Sequence, residues 1–263
     1  MIGKSFGHYT ILGTDNLSGI AIRDLVRRYG DIEAVRGVSL DVPGGEVFGL
    51  LGPNGAGKST TLKILATLLR PTSGTVSVGG HNVATDADAV RRIIGYVPEG
   101  ADLYESLSGL EFLELVADLH EIPPDVAASR RDPLLESLDL TEDASRPIGG
   151  YSKGMKQKVL ITAALQHDPR VLLLDEPLDG LDVASQEVLK GIIRRFASEG
   201  RTVIYSSHIL EVVERVCDRV GILSQGRIAA LGAPADLLAA HPGKTLAEIF
   251  LAITGTHAGV AST

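Results

Sequence analysis

"LLGPNGAGKST", Leu50 to Thr60, sets three glycines, a lysine and two hydroxyl residues directly behind an apolar run. Gly52 to Ser59 reads G-x-x-x-x-G-K-[ST], placed between a predicted strand, "VFGLL", and a helix starting near Lys58. That is the context the motif's mechanism needs. The loop Gly52, Pro53, Asn54, Gly55, Ala56 and Gly57 can curl so that successive N–H groups face an anion, and the helix N-terminus adds partial positive charge. Lys58 then reaches the terminal phosphates, the Ser59 hydroxyl ligates Mg²⁺, and Thr60 is the last residue of the nucleotide-binding stretch. The bland alternative is a strand-to-helix turn that happens to be rich in glycine. The flanking strand and helix favour phosphate, so the expected ligand is a nucleoside triphosphate.

Around this stretch the pattern alternates. Upstream, "IAIRDL", "VRGVSLDV" and "EVFGLLG" read as strands parted by Tyr29-Gly30-Asp31 and Pro43-Gly44-Gly45. Downstream, Leu62, Leu65 and Leu69 predict one helix face shared with Leu68, with Pro71 as the stop. "GTVSVGG" and "RIIGYVPE" return to strand character. Leu103 to Pro147 reads as helical, interrupted at Pro123-Pro124 and Pro133. From Ser152 on, "KQKVLITAAL", "ASQEVLKGIIRRFA" and "EVVERVC" are predicted helices, "RVLLLD" and "TVIYSS" buried strands, and "RVGILSQG" with "RIAALG" a hairpin. Such alternation implies a largely parallel sheet with helices on its faces.

Composition narrows the function classes. With 263 residues, 44% of them hydrophobic, the chain can bury the core of one large domain or of a domain plus a subdomain. A net charge of −8 offers no basic footprint, so nucleic acid is not an expected partner. The single cysteine, Cys217, cannot form an internal disulfide, which fits a reducing compartment. No run approaches the roughly 18 to 20 apolar residues that span a bilayer. "MIGKSFGHYTILGTDNLSGI" lacks the basic-then-apolar layout of a signal peptide. The expectation is a soluble, cytoplasmic chain with an N-terminal extension over residues 1–19.

"VLLLDEP" ends an apolar strand in two carboxylates, Asp175 and Glu176. Strand alternation points successive residues oppositely, so the two need not do the same work. Asp175, beside the buried run, suits a Mg²⁺-bound water, and Glu176, at the strand end, suits activation of an attacking water. His208 follows another buried strand, at the edge where ligands collect in open α/β sheets.

Several motifs now stand in one order: the loop at Gly52, "YSKGMKQK" at Tyr151 to Lys158, the Asp175-Glu176 pair, "LDGLD" at Leu178 to Asp182, and "SSH" ending at His208. Over about residues 20–255 the chain resembles the nucleotide-binding subunit of an ATP-binding cassette (ABC) transporter. The resemblance implies an α/β fold: a RecA-like P-loop NTPase core, an N-terminal antiparallel β subdomain, and an α-helical subdomain inserted over about residues 103–168, with a tail at 256–263. It implies ATP and Mg²⁺ as cofactors. Tyr29 would stack on adenine, Glu99 would join Mg²⁺ and water to the transporter interface, and Ser152 and Gly154 would meet the γ-phosphate of an ATP held by a second ATPase subunit. Asp175 is then the metal-side carboxylate, Glu176 the general base, Asp182 part of the loop linking two sites, and His208 a γ-phosphate contact. A separate transmembrane permease subunit would anchor the chain peripherally on the inner face of the membrane, with Leu103 and Tyr104 suited either to docking on it or to a core or interdomain role.

Two positions depart from the family pattern. The signature, normally LSGGQ, reads Tyr151-Ser152-Lys153-Gly154-Met155, adding a lysine that either faces phosphate or sits in solvent. Glu99 replaces the usual glutamine, putting a carboxylate where charge beside ATP is costly. "YVPE", "LYESLSGLEFLEL", "YSKGM" and "LAEIFLAITG" together resemble stand-alone ATPase subunits of drug, lipid, polysaccharide or ion exporters. Two other readings use the same motifs: a soluble ABC-type ATPase of translation or DNA maintenance, and an ATP-binding regulatory module without turnover.

Overall fold

The chain is described here by a computed structural model covering residues 19–100, 103–207 and 209–255. Apart from residue 19, the predicted N-terminal extension lies outside the described residues, as does the tail at 256–263. In chain order the elements are β1 (Ile20–Tyr29), β2 (Ile32–Val42), β3 (Val47–Leu51), α1 (Lys58–Leu65), β4 (Ser73–Val78), β5 (His81–Asn82), α2 (Ala87–Ile93), β6 (Ile94–Val97), α3 (Gly109–Leu119) and α4 (Pro124–Ser137). There follow α5 (Lys153–Gln166), β7 (Val171–Asp175), α6 (Val183–Ser198), β8 (Thr202–Ser206), α7 (Leu210–Val216), β9 (Arg219–Ser224), β10 (Arg227–Gly232), α8 (Pro234–Ala239) and α9 (Leu246–Thr254).

Two sheets form. The larger runs β10-β9-β3-β8-β7-β6, parallel except for β10, which returns antiparallel along β9 as the predicted hairpin. Its central strands β3, β7 and β8 are buried at every residue, which is why they read as unbroken apolar runs. The smaller sheet, β2-β1-β4-β5, is antiparallel throughout.

Alternation along the central strands divides the core in two. Phe48, Leu50, Ile94, Val171, Leu173 and Ile204 pack with α1 and the antiparallel sheet. Val47, Leu51, Val97, Leu172, Leu174, Val203 and Tyr205 pack on the other face with residues of α3, α5, α6 and α7. Either face alone would be half a core. The central sheet therefore carries apolar side chains on both sides.

Two sequence expectations fail locally, and a third resolves between its two readings. The helix after the phosphate loop ends at Leu65, not at Pro71: Thr67 takes φ +60°, and the N–H groups of Leu68 and Leu69 turn back to the Lys63 carbonyl. Leu68 is consequently 59% exposed. Pro133 does not interrupt α4 but lies inside it. It and Ser129, whose carbonyl loses the ring nitrogen as donor, are both exposed, so the carbonyl left without its donor is open to solvent. Leu103 is buried in the core, leaving Tyr104, 65% exposed, as the accessible member of that pair.

Candidate functional site

Between β3 and α1 the loop turns on Gly57, whose φ is +107° and where a Cβ would stand 2.6 Å from the Ala34 carbonyl oxygen. Only glycine meets both demands. Gly57 is also the N-cap of α1, which has no side-chain cap and no acidic residue in its first turn. The N–H groups at this helix start are left to an anion, and the dipole is not offset locally. Lys58 is buried. Its Nζ donates to the Gly52 carbonyl at 2.7 Å, folded back along the loop it serves. The Ala56 carbonyl accepts from Gly226 N–H, and the Gly226 carbonyl accepts from Arg36 N–H, so β2 and the β9–β10 turn brace the loop.

Asp175 closes β7 and is 1% exposed. Opposite it in register stands Ser206, the last residue of β8, whose hydroxyl donates to Asp175 Oδ1 at 2.5 Å. Sequence reading passed over Ser206; the signal was a polar residue closing an apolar strand. Glu176 lies past the strand end with φ +48°, so strand alternation does not set its direction. A left-handed glutamate costs conformational energy and persists because its N–H is held between the Ser206 carbonyl and hydroxyl at 3.2 and 3.3 Å. Glu99 is exposed, two residues past the end of β6. The strand order β3-β8-β7-β6 thus brings Lys58, Asp175, Glu176 and Glu99 to the carboxyl edge of one parallel sheet, where ligands bind in such folds. His208, the remaining predicted member, lies outside the described residues.

Tyr29, at the end of β1, is 43% exposed, and the Arg27 guanidinium carbon sits 4.6 Å from its ring centroid. Beside it a cavity of about 400 Å³ is lined by Arg28, Gly30, Asp31, Glu33 and Arg36.

Ser152 and Gly154 are elsewhere, at the start of α5. The Ser152 hydroxyl is the N-cap, accepting from Met155 N–H at 3.2 Å. A Cβ on Gly154 would lie 2.4 Å from the Gly180 carbonyl oxygen, so glycine is what lets α5 touch the loop after Glu176. Three more contacts repeat that union: Lys153 Nζ to Asp179 at 2.5 Å, Gln157 to the Pro177 carbonyl at 3.1 Å, and Lys158 to Asp182 at 3.2 Å. Lys153 is thus solvent-exposed and paired with Asp179. Asp182 caps α6 by accepting from Ser185 N–H and hydroxyl, and these bonds, then Lys158, hold its carboxyl well below the usual carboxylate range. No local pattern announces these ties, which join residues 20 or more positions apart.

Comparison with known proteins adds an independent line. A family model described as ABC transporter matches residues 35–179. The linearmycin resistance ATP-binding protein LnrL of Bacillus subtilis (strain 168) is 38% identical over 226 residues, spanning 86% of this chain and 73% of that protein. A solved structure of the ATP-binding subunit of an ABC transporter aligns with TM-score 0.84 at 34% identity, over 89% of this chain and 99% of the other. A dimeric structure of a post-hydrolysis state of an ATP-binding cassette, bound to ADP and Pi, aligns with TM-score 0.74 at 26% identity, over 81% of this chain and 98% of the other.

Proposed function

The chain belongs to the ABC transporter family as an ATP-binding subunit, and from that premise we propose that it hydrolyses ATP to power export through a separate membrane permease. The observation that carries the reading is the shared edge of β3, β8, β7 and β6, which gathers a phosphate loop and three carboxylates. On this reading adenine stacks on the Tyr29 face not covered by Arg27. The N–H groups of residues 54–60 cradle the phosphates, and Lys58 exchanges the Gly52 carbonyl for phosphate oxygens.

The residues present suit Mg²⁺. Asp175 uses one oxygen for Ser206 and keeps the other for a metal-bound water, Ser59 offers a hydroxyl, and Glu99 stands beyond. No cluster of three or more ligating His, Cys, Asp or Glu residues exists among the described residues. That agrees with an ion completed by phosphate and water rather than by a protein cage. Bound there, Mg²⁺ would offset charge developing on the transferred phosphoryl group. Glu176, fixed by Ser206, orients and deprotonates the attacking water, and His208 steadies the γ-phosphate. Ser152 and Gly154 serve the ATP of a second subunit in a head-to-tail pair, as the dimeric relative supports.

Export is supported by the drug-resistance role in the printed name of the relative LnrL. A separate permease is supported by the relatives, whose printed names are those of ATP-binding proteins, and no described helix is long and apolar enough to cross a membrane. The test is a pull-down of the tagged Glu176→Gln chain with Mg-ATP, run in parallel on detergent-solubilised membranes and on cytosol. Recovery of a polytopic membrane protein from the membrane fraction is expected. Recovery of ribosomal or DNA-bound proteins from cytosol alone would overturn the export reading.

A further inference from the structure

The Tyr96 hydroxyl is buried and has no hydrogen-bond partner among the described residues. Such a group weakens the fold unless something else repays it. Its place on the sheet says what that is. Tyr96 pairs with Leu173 across β6 and β7 and packs against the core cluster on the α1 side, with Ile94, Val171 and Leu173. Two residues beyond Leu173 on the same face comes Asp175, and across from it Ser206, whose hydroxyl meets the Asp175 carboxylate. Tyr96 thus stands on the α1 face of the sheet, one strand from Asp175 and two register positions short of it. Burial pushes the phenol pKa up first, and the negative charges of Asp175 and then Glu99 push it further, so both carboxylates lie within electrostatic reach.

We propose that Tyr96 is a positioning residue: with nucleotide and metal bound, its hydroxyl donates a hydrogen bond to the Glu99 carboxylate and holds it toward a metal-bound water. This rests on the nucleotide-and-metal reading above. Asp175 already accepts from Ser206, whereas Glu99 follows Tyr96 by three residues and is exposed at the strand end, where it can turn inward. The pairing also accounts for a carboxylate at position 99. A glutamine brings its own donor, while a glutamate only accepts, and a phenol O–H gives it a charge-assisted bond that spreads its charge beside phosphate.

The test uses the full chain carrying Glu176→Gln to block turnover, with Mn²⁺ as the metal and electron paramagnetic resonance to count free ion during titration with ATP. Tyr96→Phe is expected to weaken Mn²⁺ binding to the ATP-loaded chain by about tenfold, the loss of one bond to a charged group. Its ATP affinity in EDTA should not change. The nucleotide-free melting temperature should hold or rise, because the ring stays and the orphaned hydroxyl goes. Added to Glu99→Ala, Tyr96→Phe should cost less than about twofold more, since the two share one interaction. Unchanged Mn²⁺ affinity in Tyr96→Phe, full additivity with Glu99→Ala, or a lowered nucleotide-free melting temperature would each overturn the proposal. If the Glu176→Gln chain itself takes up no Mn-ATP, the nucleotide reading falls and this inference with it. Normal Mn-ATP uptake with an indifferent Tyr96→Phe removes this inference alone.

Discussion

On the proposed reading, Lys58 and Glu176 ask different things of the same ATP. Lys58 is buried with its ammonium on loop carbonyls, so its charge is already stripped of much water before phosphate arrives. Lys58→Ala is expected to raise the ATP dissociation constant by about ten- to a hundredfold, the value of a charge-assisted bond, as read by titration calorimetry. Glu176→Gln keeps the shape and the left-handed backbone, so affinity should stay within about twofold while turnover falls by at least about a hundredfold. Near-normal hydrolysis in Glu176→Gln would remove it as the base. The phosphate loop was legible because its chemistry is local: backbone N–H groups, glycines and a lysine within nine residues. Lys153 was not, because its partner Asp179 is 26 positions away and meets it only after β7 is laid beside α5. Tyr96 was invisible for the same reason. A tyrosine in an apolar strand reads as core until the register places it one strand from Asp175 with its buried hydroxyl unpaired.

Among the elements, α3 and α5 meet at their C-terminal ends through two histidines. His120 and His167 stack with centroids 3.9 Å apart, and His167 Nε2 donates to the Ile94 carbonyl at 2.8 Å. Burial, then His120, lowers the His167 pKa to about 4, and burial lowers His120 as well. The unfolded chain, with ordinary histidines, binds more protons between pH about 6.5 and 4, so stability rises with pH across that window and is lost on acidification. For His167 the loss is at most about 3 kcal/mol. Urea midpoints measured from pH 7.5 to 4.5 should fall more steeply for the parent chain than for His167→Gln, which keeps a donor for Ile94 but cannot titrate. Parallel slopes would dismiss the pair as an acid-sensitive joint. The elements themselves were mostly legible, since β3, β7 and β8 announce burial on both faces through unbroken apolar runs. Their ends were less so. Thr67 stops α1 by a left-handed turn that residue type does not signal, and Pro133 sits within α4 because its exposed side tolerates a missing bond.

At the scale of the whole molecule, the sheet order is what local patterns could not supply. Alternation predicts a parallel sheet, but only pairing puts β8 between β3 and β7 and so sets the phosphate loop across from Asp175. The same order leaves Ser152 at the start of α5, capping its own helix, while Lys58 stands at the start of α1. Four contacts bind α5 to residues 177–182, so Ser152 and Gly154 are tied to the loop that follows Glu176 rather than to the loop at residues 52–57. If each ATP is held by the loop of one subunit and the signature of another, defects in the two must complement between chains. Lys58→Ala and Ser152→Arg are each expected to abolish turnover alone. Mixed in equal amounts, they form hetero-pairs with one site doubly damaged and the other intact. Statistical pairing makes half the dimers mixed with one working site each, so activity should return to about a quarter of the parent value if the sites act independently. Recovery that rises and falls with the mixing ratio is the signature of shared sites. A flat line at zero, with mixed pairs demonstrated by differential tagging, would count against sites shared between chains.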